Sequence, residues 1–180
     1  MSFLISSQRS FERDALSEAY YVISDVLGYD THPLKSRVPG LSILKLKEDI
    51  KPFHVINEIR QYIQEKGPLV ACLKIIPLER LIKTNISEIV ENAVTLAKLK
   101  ILPTCSWRIK VRKRQTNLRT FQVIEKIAER INWGIVNLTS PDFEIRVEIV
   151  RDLTGISVME PHMEFNLTRI LEEGQKDQTN

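Results

Sequence analysis

The densest group of chemically active side chains in this sequence is a basic segment that contains no acid. Residues 92–124 include no Asp or Glu but carry eight Lys or Arg residues. These eight are Lys98, Lys100, Arg108, Lys110, Arg112, Lys113, Arg114 and Arg119. The formal net charge of the whole chain is +3. Outside the segment, however, the 23 acidic residues outnumber the remaining 18 of the 26 basic residues. The distribution predicts an acidic body with one strongly basic segment, which favours a polyanionic partner.

The centre of this segment has the period of a β-strand. Over residues 106–113 the apolar positions are Trp107, Ile109 and Val111, and the basic positions between them are Arg108, Lys110 and Arg112. Successive strand side chains point to opposite faces, and those on one face lie about 7 Å apart, a spacing similar to that of successive phosphates. We therefore expect Trp107 in the core and the cations on an RNA-binding surface, where they would release counterions from phosphates.

A solvated sheet face is the alternative interpretation of the basic row. No acid lies within the segment, so its cations cannot pair with carboxylates of their own stretch of chain. Glu144 and Glu148, on the polar face of another predicted strand, could neutralise part of the row across the sheet. The sequence favours phosphate binding and leaves this partial neutralisation open.

The first half of the chain has the pattern of a small α+β unit. A strand over residues 3–7 is followed by a helix that Ser10 would cap and that would end before Gly28. Residues 34–38 and 41–46 predict a hairpin, Pro52 begins a second helix, and residues 69–76 predict a buried strand. This order, strand, helix, strand, strand, helix, strand, predicts a ferredoxin-like unit over residues 1–76.

A second pattern begins after Pro77. Asn85 and Glu88 are placed to cap a helix, and the basic strand comes next. The following helix, residues 119–132, would bury Phe121, Ile124, Ile127, Ala128 and Ile131. Three further strands are predicted at residues 135–138, 143–150 and 155–159. The second domain would span residues 77–172 and be followed by a polar tail at 173–180.

Signals for an enzyme are weak. The six glycines are never closer than twelve residues, which excludes a glycine-rich phosphate loop. His32, His54 and His162 lie far apart without a second ligand type at metal spacing, and Cys72 and Cys105 are expected to be buried free thiols. We expect no metal, no cofactor and no catalytic site. Because no apolar run approaches about 20 residues and the first residues lack the features of a secretory leader, we also expect neither a membrane span nor a leader. The expected location is the cytoplasm.

Several runs of the second half resemble the THUMP domain. They are Trp107–Arg114, the run from Val136 through Asn137, Pro141 and Asp142 to Ile149, and the run from Thr154 to Met159. The last resembles the THUMP-only accessory proteins of tRNA cytidine acetylation, and Pro52-Phe53 with Ile75 to Leu78 resemble the ferredoxin-like domain and linker that precede THUMP there. The resemblance implies an α+β fold, with a ferredoxin-like subdomain followed by THUMP.

The resemblance also implies a function and partners. A protein of this kind binds tRNA without catalysis and presents it to a separate RNA acetyltransferase that makes N4-acetylcytidine. The basic strand and loop would contact the tRNA, while Asn137, Pro141 and Asp142 are expected to be structural turn and strand-end residues. One alternative is an adaptor for another tRNA modification or processing enzyme. Another is a small RNA-modifying enzyme with Glu144 or Asp142 as general base.

Overall fold

The structure is a computed structural model that describes residues 1–47 and 50–170. Its elements in chain order are β1 (Ser2–Ser6), α1 (Glu12–Tyr20), a π-helical turn (Tyr21–Val26), β2 (Thr31–Leu34), β3 (Leu41–Leu46), α2 (Pro52–Lys66), β4 (Lys74–Leu78), β5 (Arg80–Lys83), α3 (Ile86–Lys100), β6 (Ser106–Arg114), α4 (Thr120–Ala128), β7 (Ile135–Val136), β8 (Phe143–Val150), β9 (Leu153–Met159) and β10 (Phe165–Asn166). The chain divides into two compact units, residues 78–163 and residues 1–77 with the segment from Glu164. Among the described residues, no helix is long and apolar enough to cross a membrane.

The first unit is a sheet with strand order β10-β4-β1-β3-β2. Its strands β1 and β2 both pair antiparallel with β3. Apolar residues of α1 and α2, including Ala15, Val55 and Ile59, pack with Phe3 and Ile5 of β1 in one fully buried cluster. The observed order of elements from β1 to β4 is the order expected for a ferredoxin-like unit.

Local details of the first unit differ from the sequence prediction. Ser10 does not cap α1, because its φ is +73° and its backbone N–H donates to the Glu12 carboxylate. The strand expected over residues 69–76 begins only at Lys74, because the backbone N–H groups of Val70, Ala71 and Cys72 donate to the side-chain carboxylate of Glu18 and not to a neighbouring strand. The hairpin partner expected at residues 34–38 lies earlier, at Thr31–Leu34.

The segment after the second unit returns to the first sheet. Phe165 pairs with Ile75 of β4, and its side chain is fully buried in the first core. The C-terminal boundary expected for the second domain, residue 172, is therefore too late. The second unit ends at residue 163, because Phe165 buries its apolar side chain in the core of the first unit. The expected polar tail, residues 173–180, lies outside the described residues.

The second unit is a mixed sheet with strand order β5-β9-β8-β6-β7. Strand β6 runs parallel to β7 and β8, while β9 is antiparallel to β8 and β5. Helix α3 begins as predicted, since Asn85 Oδ1 accepts hydrogen bonds from the backbone N–H groups of Ser87 and Glu88. This cap satisfies two donors that the first helical turn leaves without partners.

Helices α3 and α4 pack on one face of this sheet. The shared core includes Ile89, Trp107 and Ile127. Phe121 was expected in this core but is 72% exposed, and Val123 occupies the buried position instead. The two residues lie two positions apart, which places them on nearly opposite sides of a helix with 3.6 residues per turn.

Candidate nucleic-acid interface

Strand β6 presents two different faces, as its alternating sequence predicts. Trp107 is 3% exposed and packs in the core, and its indole N–H donates to the backbone oxygen of Trp133 at 3.0 Å. Ile109 and Val111 pack against the same core. The intervening cations project from the other face of the pleated strand. Trp107 is therefore part of the scaffold and not a stacking platform.

Carboxylates of the neighbouring strand β8 pair with three of these cations. Glu144 lies opposite Arg108 in the parallel register. Its Oε2 lies 2.8 Å from Arg108 Nη2 and 3.3 Å from Lys110 Nζ. At the other end of the strand, Arg114 Nη1 lies 3.4 Å from Glu148 Oε2. The neutralisation that the sequence left open therefore occurs, across the sheet and not along the chain.

Arg146 lies between the two carboxylates on β8 and is almost fully buried. Its Nε donates to Glu148 Oε1 at 2.8 Å, and its Nη1 lies 3.7 Å from Glu144 Oε1. Buried charges are tolerated when they are paired, and both glutamates are nearly inaccessible too. We call Arg108, Lys110, Arg114, Arg146, Glu144 and Glu148 the strand network. It holds four cations and two carboxylates, so it keeps a positive excess of two.

A second set of cations lies beyond the strand network. Arg112, Lys113 and Arg119 are exposed and have no carboxylate partner within the described part of the chain. Lys113 Nζ donates to the backbone oxygen of Leu118 at 2.9 Å, which brings the start of α4 close to the end of β6. Arg151 is also exposed, and its backbone N–H donates to Arg114 O at 2.9 Å. We call Arg112, Lys113, Arg119 and Arg151 the strand-end cluster.

The sequence analysis did not select Arg151, because this residue lies outside the acid-free segment. It follows directly on β8, and the parallel pairing of β6 with β8 brings it to Arg114. The signal that could have identified Arg151 is its position directly after β8, because the parallel register places this residue beside the end of β6. This position is informative only when the pairing of β6 with β8 is known.

The two remaining predicted RNA-binding residues lie on α3 and differ from each other. Lys98 is exposed and has no ion pair among residues 1–47 and 50–170. Lys100 Nζ lies 2.6 Å from Glu79 Oε1 and donates to Val158 O at 2.8 Å. Because Glu79 is itself buried and also accepts from Val158 N–H, Lys100 holds the end of α3 against β9.

The Asn137 to Asp142 segment has the structural role that its residue types predict. Asn137 Oδ1 accepts from the N–H groups of Thr139 and Ser140, forming a tight turn. Asp142 Oδ2 accepts from both the backbone N–H and the hydroxyl of Ser106, each at 2.7 Å. These hydrogen bonds, the backbone one foremost, lower the pKa of Asp142. The turn thereby fixes the beginning of β6 against β8.

Groups with other chemistry are isolated. Cys72 is fully buried, and this burial raises the pKa of its thiol, whereas Cys105 is half-buried and not fully buried as expected. Within the described ranges, no three His, Cys, Asp or Glu side chains are grouped so as to hold a metal ion.

The second unit is thus an α+β module in which one sheet face carries a network of excess positive charge and the other packs on two helices. It is a THUMP domain, because residues 83–159 match the THUMP family model. The match runs from the end of β5 through β9 and includes both the strand network and all four residues of the strand-end cluster. A comparison with curated protein sequences gives no match.

Solved structures with the same fold cover both units. PH1313 from Pyrococcus horikoshii aligns with a TM-score of 0.63 and 14% identity over 88% of this chain and 54% of its own. TrmN from Thermus thermophilus aligns with a TM-score of 0.57 and 14% identity over 88% and 45%. A 4-thiouridine synthetase solved with RNA and ATP gives 0.54 and 13% over 88% and 41%. The chain therefore spans about half the length of each of these proteins.

Proposed function

We propose that this protein binds structured RNA, specifically tRNA, without catalysis and presents it to a separate RNA acetyltransferase that forms N4-acetylcytidine. The observation that carries the RNA-binding part is the strand-end cluster, four exposed cations in a THUMP domain that have no carboxylate partner among residues 1–47 and 50–170. Such cations neutralise phosphates and release condensed counterions, which drives association. The RNA present in the 4-thiouridine synthetase structure supports the same class of ligand.

The strand network contributes a fixed positive background to this surface. Arg108 and Lys110 keep about a quarter and a third of their side chains exposed while bonded to Glu144. Held in place by a buried carboxylate, they lose less conformational freedom when a phosphate approaches than free side chains would. In this proposal the free cations at the strand end make the phosphate contacts, and the paired cations of the network add a fixed positive charge beside them.

The two candidate bases for an RNA-modifying enzyme, Asp142 and Glu144, are already engaged by other groups of the protein. Asp142 already accepts two hydrogen bonds from Ser106, which lower its pKa and weaken it as a base near neutral pH. Glu144 is bonded to Arg108, Lys110 and Arg146. Glu144 is also only 3% exposed, which limits its access to a substrate. The contacts of Asp142 and those of Glu144 therefore favour a binding role for this surface over a catalytic one.

The acetyltransferase partner is proposed from the sequence resemblance of residues 154–159 and of the segments around Pro52 and Ile75 to the accessory proteins of tRNA cytidine acetylation. It is tested by affinity purification of the protein from its own cells followed by mass spectrometry, and by measuring N4-acetylcytidine in tRNA from a strain without it. We expect an acetyltransferase to co-purify and N4-acetylcytidine to be lost. An unchanged N4-acetylcytidine content with loss of another modified nucleoside would support an adaptor of a different enzyme.

RNA binding itself is tested by fluorescence anisotropy with a labelled tRNA transcript at low salt. We expect saturable binding that weakens as salt increases. The purified protein is also incubated with tRNA and common group donors, and we expect no modified nucleoside. Failure to bind tRNA at low salt would contradict the central proposal, and turnover by the purified protein would contradict its non-catalytic part.

A further inference from the structure

The first unit contains an open groove that the proposed function does not use. The groove has a volume of about 620 Å³ and lies between α1 and the segment that joins β2 to β3. This volume is within the range of about 300 to 1,000 Å³ typical of ligand sites. Leu16, Pro33, Leu34, Val38 and Pro39 supply most of its apolar lining. The groove could therefore bury a flat apolar group of a ligand.

Three cations stand at this groove without acidic partners. Arg13, Lys35 and Arg37 line it and are exposed, and none has an ion pair in residues 1–47 or 50–170. The one acid in the lining is Glu12, whose carboxylate accepts hydrogen bonds from the N–H groups of Gly40 and Ser10. These bonds, the one from Gly40 foremost, lower the pKa of Glu12 and engage its charge with the backbone. The groove thus presents a positive rim to a negatively charged ligand.

Two exposed tyrosines extend the groove along α1. A neighbouring cavity of about 370 Å³ shares Leu16 and Pro33 with the groove and is lined by Tyr20 and Tyr21. These side chains belong to residues that are 39% and 53% exposed. Asp25 is the acid of this second cavity. An apolar floor, a positive rim and accessible aromatic rings therefore follow one another on a single surface.

The wall of the groove is held in place by hydrogen bonds within the unit. Ser36 is buried, and its hydroxyl donates to the backbone oxygen of Leu41 and accepts from Val38 N–H. The bond from Gly40 N–H to Glu12 ties the same segment to the start of α1. Because this wall is already ordered, ligand binding costs less conformational entropy than it would with a flexible segment.

We propose that this groove binds an unpaired RNA strand, with bases stacked on the tyrosines and apolar floor and phosphates near Arg13, Lys35 and Arg37. Sequence-tolerant binding of single strands combines these elements, a positive groove along the backbone and aromatic side chains under the bases. An acidic peptide would match the rim, but its carboxylates would make no use of the exposed aromatic rings. The inference extends the proposed RNA binding from the second unit to the first.

The probe is a labelled oligouridylate about ten nucleotides long, within the ~4 to 16 nucleotides that single-strand sites cover. A blunt RNA duplex is the second probe, and both are measured by fluorescence anisotropy with the full chain. Tyr20→Ala with Tyr21→Ala should weaken oligouridylate binding by about tenfold or more, because each lost stacking contact has an effect of that order. Tyr20→Phe with Tyr21→Phe should bind like the unmodified protein, because the rings remain.

Charge reversal supplies the second test. Arg13→Glu with Lys35→Glu should weaken oligouridylate binding by at least about tenfold, since two phosphate contacts are replaced by repulsion. The matched control is Lys51→Glu with Lys66→Glu, two exposed lysines at the two ends of α2. All four double variants should bind the blunt duplex as the unmodified protein does, and circular dichroism should show equal folding.

The outcomes separate this inference from the proposed function. Equal oligouridylate affinity of the alanine and phenylalanine variants would overturn the inference, as would competition by a polyglutamate peptide as effective as that by unlabelled oligouridylate. A variant of the strand-end cluster that loses duplex binding but keeps oligouridylate binding would support a separate single-strand site in the groove. Oligouridylate binding without any duplex or tRNA binding would support the groove and contradict the proposed function.

Discussion

The salt dependence of RNA binding should distinguish the cations that are free from those engaged in the strand network. The sequence offers eight cations in its acid-free segment, but the structure pairs Arg108, Lys110 and Arg114 with buried glutamates and Lys100 with Glu79. The perturbation is Arg112→Gln with Arg151→Gln, which removes two free cations of the strand-end cluster. Neither arginine has an ion pair among the described residues, so folding should be retained.

The expected magnitude follows from the number of phosphate contacts. Each contact contributes about 0.7 to 0.9 to the slope of log affinity against log salt. Four contacts from the strand-end cluster give a slope of about −3, so raising salt from about 50 to about 200 mM should weaken binding about sixtyfold. Two contacts leave a slope of about −1.6 and about a tenfold loss. Eight contacts would give a slope of about −6 and a loss of about four-thousandfold.

The assay is fluorescence anisotropy with a blunt RNA duplex at several salt concentrations. The informative quantity is the difference in slope between the unmodified protein and the variant, about 1.5. Lys83→Gln with Lys126→Gln is the matched control, because both lysines are exposed in the second unit and lie outside the cluster. An unchanged slope in the Arg112 and Arg151 variant would refute the assignment of the cluster to phosphate binding.

Arg114 is unsuitable for this test, although the sequence pattern alone would include it with Arg112. Its guanidinium lies 3.4 Å from Glu148, a fully buried residue. Reversing Arg114 to Glu would place a second carboxylate beside this one and reduce stability. Loss of RNA binding in such a variant would combine unfolding with the loss of a contact.

Three further predictions concern the scaffold of the interface. Arg146→Met should lower the free energy of unfolding by about 3 kcal/mol, measured by urea denaturation, because it leaves buried carboxylates with fewer partners. Gly134→Ala should lower it by about 2 kcal/mol or more, because φ is +73° and a Cβ would lie 2.8 Å from Trp107 Cδ1; an unaltered urea midpoint would contradict this. The folded-state pKa of Asp142 is lowered from 3.8 by Ser106, so its contribution to stability is present above pH 3.8 and is lost as pH falls through the lower folded-state value. The stability difference between the unmodified protein and Asp142→Asn should therefore shrink below pH 3.8 and stay constant at neutral pH.

Elements with strong local signals could be predicted from the sequence. Strand β8 was expected at residues 143–150 and lies at Phe143–Val150, because its apolar and charged residues alternate from Phe143 to Ile149. Helix α2 begins at Pro52, where the missing N–H of proline has no cost, and α3 begins after the Asn85 cap. Each of these signals lies within a few residues of the element that it specifies.

Features that depend on distant residues could not be predicted in the same way. The return of Phe165 to the first sheet involves a strand of two residues, too short for a period to be recognised. The exposure of Phe121 depends on which side of α4 faces the sheet, and its apolar side chain alone does not determine that. In both cases tertiary packing selects among local patterns that the sequence permits.

The candidate site combines both kinds of information. The absence of acids in residues 92–124 excludes pairing along the chain, but it leaves the charges to be balanced either by a ligand or by another strand. Strand β8 balances part of the row through Glu144 and Glu148, and its next residue on that face is Val150, opposite Arg114. The acidic positions of β8 therefore end before the basic positions of β6 do. Positive charge is left over at this end of the sheet, where Arg151 adds to it, and a phosphate backbone is the partner that such an unbalanced end would attract.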